Sequence, residues 1–119
     1  ETGADMLAPA IGNIHGMLKG GIDPRLDITR IREIADATKA PLVLHGGSGN
    51  EADFDKAIEA GMCVVHVNTE LRQAYTNGVK AYMEAHPEDV TPYKYGEAGK
   101  VAMQKVAEEK LRTFSRINV

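Results

Sequence analysis

Apolar positions along the chain alternate between short β-like runs and longer stretches at helical spacing. Residues 5–11 (DMLAPAI) form a short apolar segment that ends at Gly12. Pro9 inside it counts against a central strand, because proline has no N–H for a hydrogen-bond ladder. Ile28, Ile31, Ile34 and Ala35 then recur at helical spacing, with Asp27 placed to cap the helix. Arg30 stands where a reciprocal capping box needs Glu or Gln. Residues 41–45 (PLVLH) read as a strand closed by Gly46-Gly47. Asn50 can cap a helix carrying Phe54, Ala57 and Ile58, which Gly61 ends. Residues 62–67 are the next β-rich run. Thr69 can cap a longer helix with Leu71, Tyr75, Val79 and Tyr82 on one stripe, stopped before Pro87. A Pro/Tyr loop over residues 91–96 leads to a last helix reaching about Phe114, with Ala98, Val101, Ala102, Val106 and Ala107 on its buried face.

The pattern predicts three β–loop–α units and an extra C-terminal helix, which is an α/β chain with a parallel sheet covered by helices. Residues 17–24, with Gly20-Gly21, are the nearest thing to a flexible loop, and they follow a strand, where α/β proteins place working loops. The chain begins at Glu1 without Met, and an apolar segment follows almost at once. We read this as the interior of a larger fold, with residues 1–119 one fragment of a single domain.

Composition narrows the function. Fourteen basic residues stand against 17 acidic ones, a net charge of -3. This disfavours nucleic acid and a polybasic membrane contact. The longest clean apolar run, Met62-Cys63-Val64-Val65, is far short of the ~18 residues of a membrane span. A single cysteine excludes an intrachain disulfide framework and suits a reducing cytoplasm.

Three of the four histidines occupy corresponding places: His15 after the first apolar segment, His45 at the end of the second and His66 near the end of the third. The C-terminal ends of neighbouring parallel strands lie on one side of a sheet, so His15 and His45 can approach each other. Imidazoles gathered there suit a borderline metal such as zinc. Each is equally readable as a loop residue with a satisfied hydrogen bond. Gly46-Gly47-Ser48-Gly49 can bring backbone N–H groups and a hydroxyl to an anion, or can be a plain turn. Asn68-Thr69 at a helix start is a second anion-friendly turn, because aligned peptide dipoles place ~+0.5 charge there. Lys19 is either a phosphate point charge or a surface lysine. No dinucleotide-binding glycine fingerprint or P-loop occurs.

Taken together, L-A-P-A-I-G-N-I-H-G at residues 7–16, L-V-L-H-G-G-S-G at 42–49 and H-V-N-T-E-L-R at 66–72 resemble the class II fructose-bisphosphate aldolases. This family of zinc-dependent (β/α)8 TIM barrels includes tagatose-bisphosphate aldolases. The resemblance runs in register over essentially the whole chain and makes it the C-terminal portion of such a barrel: strands six, seven and eight with their helices. It implies that His15 and His45 ligate Zn2+. It further implies that Gly16, Lys19, Gly46, Gly47, Ser48, Asn68 and Thr69 cradle the phosphate of dihydroxyacetone phosphate. Arg72 matches a position associated with the other substrate phosphate.

The implied reaction is reversible cleavage of fructose 1,6-bisphosphate, or a related ketose bisphosphate, to dihydroxyacetone phosphate and an aldehyde. A homo-oligomeric cytoplasmic parent is expected, with no nucleic-acid or membrane partner. The family's third zinc histidine and its acid/base aspartate belong to an earlier strand that these residues do not include. His66 stands where the family usually has Asn, and three roles are open for it: substrate contact, extra metal ligand or packed structural residue. Tyr93 lies near where many members carry an Arg. The rival reading is a non-catalytic phosphosugar-binding or assembly half-barrel that needs a complementary chain.

Overall fold

The computed structural model describes residues 3–14, 25–46 and 51–115. The elements are α1 (Ile28–Thr38), β1 (Leu42–Leu44), α2 (Phe54–Glu59, entered through a 3-10 turn at Glu51–Asp53), β2 (Met62–Val65), α3 (Thr69–Ala85) and α4 (Pro92–Ser115). They divide into two compact units, Glu1–Val67 and Asn68–Val119.

The first unit is built on a parallel pair. Leu42, Val43 and Leu44 of β1 lie opposite Met62, Val64 and Val65 of β2, and the register slips once, with Cys63 the extra residue. All three β1 side chains are buried, as expected of a strand covered on both faces. The expected first strand is reduced to a single parallel bridge, Leu7 to Leu42. There the Leu7 N–H donates to the Pro41 carbonyl at 3.1 Å and the Val43 N–H donates to the Leu7 carbonyl at 2.9 Å. Pro9 cannot donate further along, so the described sheet has two strands rather than three. Ile11 is nevertheless buried, and it joins Leu26, Ile31, Phe54, Ala57, Ala60 and Met62 in the core with β1.

α1 follows its expected pattern. The Asp27 side chain accepts from the Arg30 N–H at the N-terminus, and Ile31 is the buried residue of the stripe. α2 ends as expected at Gly61, whose N–H donates to the Ile58 carbonyl. Its expected cap, Asn50, lies outside the described residues.

The main polar anchor of this unit carries no hydrophobic signature. Asp53 is buried at 2 % exposure and accepts from Arg25 through both carboxylate oxygens. It also accepts from the Leu26 N–H at 3.1 Å. The Arg25 guanidinium beside it holds the Asp53 carboxyl below its ordinary value, against the opposing effect of burial.

The second unit is a helix pair. Gly78 on α3 meets Ala98, Gly99 and Ala102 of α4 so closely that an added Cβ would lie 2.6 Å from the Ala98 carbonyl oxygen. A Cβ on Gly99 would lie 2.8 Å from both the Tyr75 ring and Val79. Glycine in a helix interior costs ~1 kcal/mol against alanine, so this pair is explained by close approach and not by propensity. Two expectations need correcting. Residues 92–96 form the first turn of α4 rather than a loop, because proline suits a first helical turn, where its missing N–H is not needed. Val101 is exposed rather than on the buried face, and Gly99 is the buried residue of α4.

Ahead of α4, Asp89 accepts from the Tyr82 hydroxyl at 3.0 Å, the Lys94 ammonium at 2.7 Å and the Thr91 N–H at 3.0 Å. The Lys94 bond and the Thr91 contact hold its carboxyl well below the usual carboxylate range. α3 stops at Ala85, with the His86 N–H donating to Tyr82, just before Pro87.

Two outcomes follow from this packing. Gly78→Ala is expected to destabilise the protein by ~1–3 kcal/mol despite its better helix propensity, because a backbone oxygen cannot step aside; chemical denaturation measures it. Asp53 and Asp89 both have lowered folded pKa values, so their contribution is present above the ordinary carboxylate pKa of ~4 and is lost as pH falls through the folded values. Stability should therefore drop below about pH 4. The drop should be shallower in Asp53→Asn, as read by denaturant titration at neutral and acid pH.

Candidate active-site edge

β1 and β2 run in the same direction, so both release their next residue at the same edge. His45 follows Leu44 and His66 follows Val65. Their rings meet edge to face, with centroids 5.3 Å apart and planes at 75°. Both residues are exposed. The pairing is set by the ladder: the His66 N–H donates to the Leu44 carbonyl at 2.9 Å. Gly46 takes a φ of +71° directly after His45, in the left-handed region that glycine enters most readily.

The Gly12–Asn13 segment reaches this edge from the other side. The Asn13 side-chain amide donates to the His45 carbonyl at 2.5 Å. Its oxygen accepts from the Ile11 N–H at 2.9 Å. Asn13 was not among the residues the sequence singled out. The available signal was an amide beside a glycine at the end of an apolar run, which carries no periodicity and no charge.

His15, Gly16, Lys19, Gly47 and Ser48 lie outside the described residues. Among the described residues no group of three or more His, Cys, Asp or Glu side chains is placed to hold a metal ion.

The second unit carries the other expected contacts at the start of α3. The cap position is Asn68, and Thr69 is the first helical residue, which corrects the expected Thr69 cap. The Asn68 side chain makes no capping hydrogen bond. Its carbonyl accepts from the Arg72 N–H at 3.1 Å, closing the first turn. Glu70 in that turn pairs with Lys110 of α4 at 2.5 Å, and both side chains are largely buried, at 15 % and 12 % exposure. Arg72 is exposed. Tyr93 also stands exposed, at 76 %, on the first turn of α4.

Parallel strands that end in adjacent imidazoles, joined through a crossover helix, define an α/β protein with its polar chemistry at the C-terminal strand edge. The family model for class II fructose-bisphosphate aldolase matches residues 1–118, and the chain belongs to that family, whose members are TIM-barrel lyases. Solved structures agree. The YdjI aldolase of Escherichia coli K12 is 34% identical, with a TM-score of 0.77, over 95% of this chain and 40% of its own. A candidate fructose-1,6-bisphosphate aldolase of Coccidioides immitis is 32% identical, with a TM-score of 0.75, over 96% of this chain and 39% of its own. The fructose-bisphosphate aldolase of Campylobacter jejuni, at 23% identity and a TM-score of 0.71, shares the fold over 91% of this chain. The chain thus spans about 40% of the length of these structures.

The absent cap at Asn68 has a measurable consequence. Asn68→Ala should change unfolding free energy by less than ~0.5 kcal/mol, since no capping bond is lost. An asparagine engaged as a cap would cost ~1 kcal/mol on the same substitution. Denaturant titration distinguishes the two.

Proposed function

We propose that these residues form strands six to eight, with their helices, of a (β/α)8 barrel that reversibly cleaves a ketose bisphosphate to dihydroxyacetone phosphate and an aldehyde. Fructose 1,6-bisphosphate is the first substrate and tagatose 1,6-bisphosphate the second. The observation that supports this most is the meeting of His45 and His66 at the common edge of two parallel strands in a chain of this family.

His45 has the donor chemistry of a zinc ligand. An exposed imidazole at a strand edge offers a nitrogen donor of the kind zinc takes. His45 and His15 would hold the ion, with the remaining ligand from outside these residues. Bound there, zinc supplies Lewis-acid polarisation of the substrate ketone.

The chain's own residues orient the substrate. His66, beside His45, would hydrogen-bond a ketose hydroxyl. Gly16, Lys19, Gly46, Gly47 and Ser48 would hold one phosphate together with Asn68 and Thr69. The uncapped start of α3 leaves N–H groups and the positive end of the helix dipole for an anion. Glu70, tied to Lys110, holds that turn in place. Arg72 would meet the other phosphate. A phosphate held at a fixed distance from the reacting carbons makes remote binding energy useful for bond cleavage. Among the described residues no helix is long and apolar enough to cross a membrane. The family resemblance is what supports our reading of a cytoplasmic homo-oligomer.

The test is metal analysis of His15→Ala and His45→Ala in the full-length enzyme. Each is expected to lose zinc and aldolase turnover together. Full zinc retention in either variant would remove that residue from the ligand set. A wild-type protein that binds dihydroxyacetone phosphate but neither zinc nor ketose bisphosphate for turnover would be the non-catalytic phosphosugar-binding half-barrel instead.

A further inference from the structure

We infer that Asn13 is a positioning residue for the metal ligand His45, an inference that rests on the zinc reading above. Successive carbonyls of an extended chain point to opposite sides. At the end of β1 both are held: the Leu44 carbonyl accepts from the His66 N–H at 2.9 Å, and the His45 carbonyl accepts from the Asn13 side-chain amide at 2.5 Å. The two peptide groups that flank the His45 Cα are thus both held, the first by the backbone of β2 and the second by the Asn13 side chain.

The orientation of that side chain is itself determined. Its oxygen is occupied by the Ile11 N–H at 2.9 Å, so its nitrogen faces His45. The carboxamide is one side chain that offers an acceptor and a donor on one short rigid group. Aspartate has the same shape and two acceptors. The position of Asn13 is held in turn by its neighbours. Ile11 is buried at 2 % exposure, and its carbonyl accepts from the Asp27 N–H at 2.9 Å. Gly12, at φ +95°, packs so tightly that an added Cβ would lie 2.5 Å from the Arg25 carbonyl oxygen.

The device replaces a missing ladder. The segment that should pair with β1 makes one bridge at Leu7 and then meets Pro9, which has no N–H to donate. Asn13 ties the peptide after His45 on the flank where Pro9 breaks the ladder. Metal–ligand distances tolerate only about ±0.2 Å, so drift of that peptide moves the imidazole out of range.

The test uses the full-length enzyme and the metals themselves. In Asn13→Asp the Ile11 bond is kept, and the donor facing the His45 carbonyl becomes an acceptor. Zinc affinity, measured by competition with a chromophoric chelator, should fall by about tenfold or more, in line with the loss of other groups that orient metal ligands. The visible absorption of the cobalt(II)-loaded enzyme should shift, since it reports ligand geometry. Asn13→Ala removes the donor without adding charge, should give a smaller change in the same direction, and serves if Asn13→Asp does not fold. Zinc affinity within about twofold of wild type, with an unchanged cobalt spectrum, would overturn the inference even if thermal stability fell. His45→Ala is measured alongside. If it keeps zinc, the ligand reading has failed; if it loses zinc while Asn13→Asp does not, only the role of Asn13 has failed.

Discussion

A parallel strand pair cannot be closed by a tight turn: the chain has to cross back before it can run in the same direction again. Here the crossover from β1 to β2 includes α2, and its consequence is that Leu44 and Val65 both finish at one edge. The placement of His45 and His66 depends on that. His45 and His66 are separated by a whole helix in sequence, yet their rings touch, because each is the next residue after a strand of the same pair. The same direction of pairing brings Leu7 to Leu42 and so carries Asn13 toward the edge from the opposite flank.

The crossover has to be held as well as made, and a charge does part of this work. A carboxylate as enclosed as that of Asp53 is unfavourable unless it is paired and hydrogen-bonded. Arg25 supplies a two-pronged partner, and the Leu26 N–H supplies a third bond. The result joins the segment before α1 to the start of α2. Hydrophobic burial is non-directional; this contact fixes one arrangement among the many that would bury the same area. In the second unit the equivalent constraint is steric. Gly78 and Gly99 let two helices approach closely, and the Glu70–Lys110 pair closes the same interface nearer the start of α3. Asp89 gathers Tyr82, Lys94 and the Thr91 amide where the chain enters α4.

For a family of barrel aldolases, this distribution of constraints is consistent with where chemistry is performed. The strand edge is exposed and polar, and the atoms behind it are held by short directed bonds. A metal ligand or phosphate contact is useful only if its backbone does not move when substrate arrives, because positioning is what such groups contribute. In the first unit Asn13 ties the His45 carbonyl; in the second the Glu70–Lys110 pair ties the first turn of α3 to α4.

Much of this was legible in the sequence. Helical spacing located α1, α3 and the later part of α4, and Asp27, Gly61 and Pro87 marked ends that the structure keeps. Apolar runs located β1 and β2, and His45 and His66, each after such a run, meet at one edge. These features are local: period, cap and breaker are properties of a few consecutive residues, and so they survive reading in one dimension. What only the tertiary structure decided is non-local. Whether residues 5–11 make a strand or a single bridge depends on whether the neighbouring strand finds donors beyond Pro9. Residues 92–96 became helix because Asp89 and Thr91 prepare the turn ahead of Pro92, although Tyr, Pro and Gly together suggest a loop. Val101 lies outward because Gly99 and Gly78 set which face of α4 meets α3. The pairings Arg25–Asp53, Asn13–His45 and Glu70–Lys110 were invisible for the same reason: a polar side chain carries no periodicity, and its partner is chosen by the fold that brings the two together.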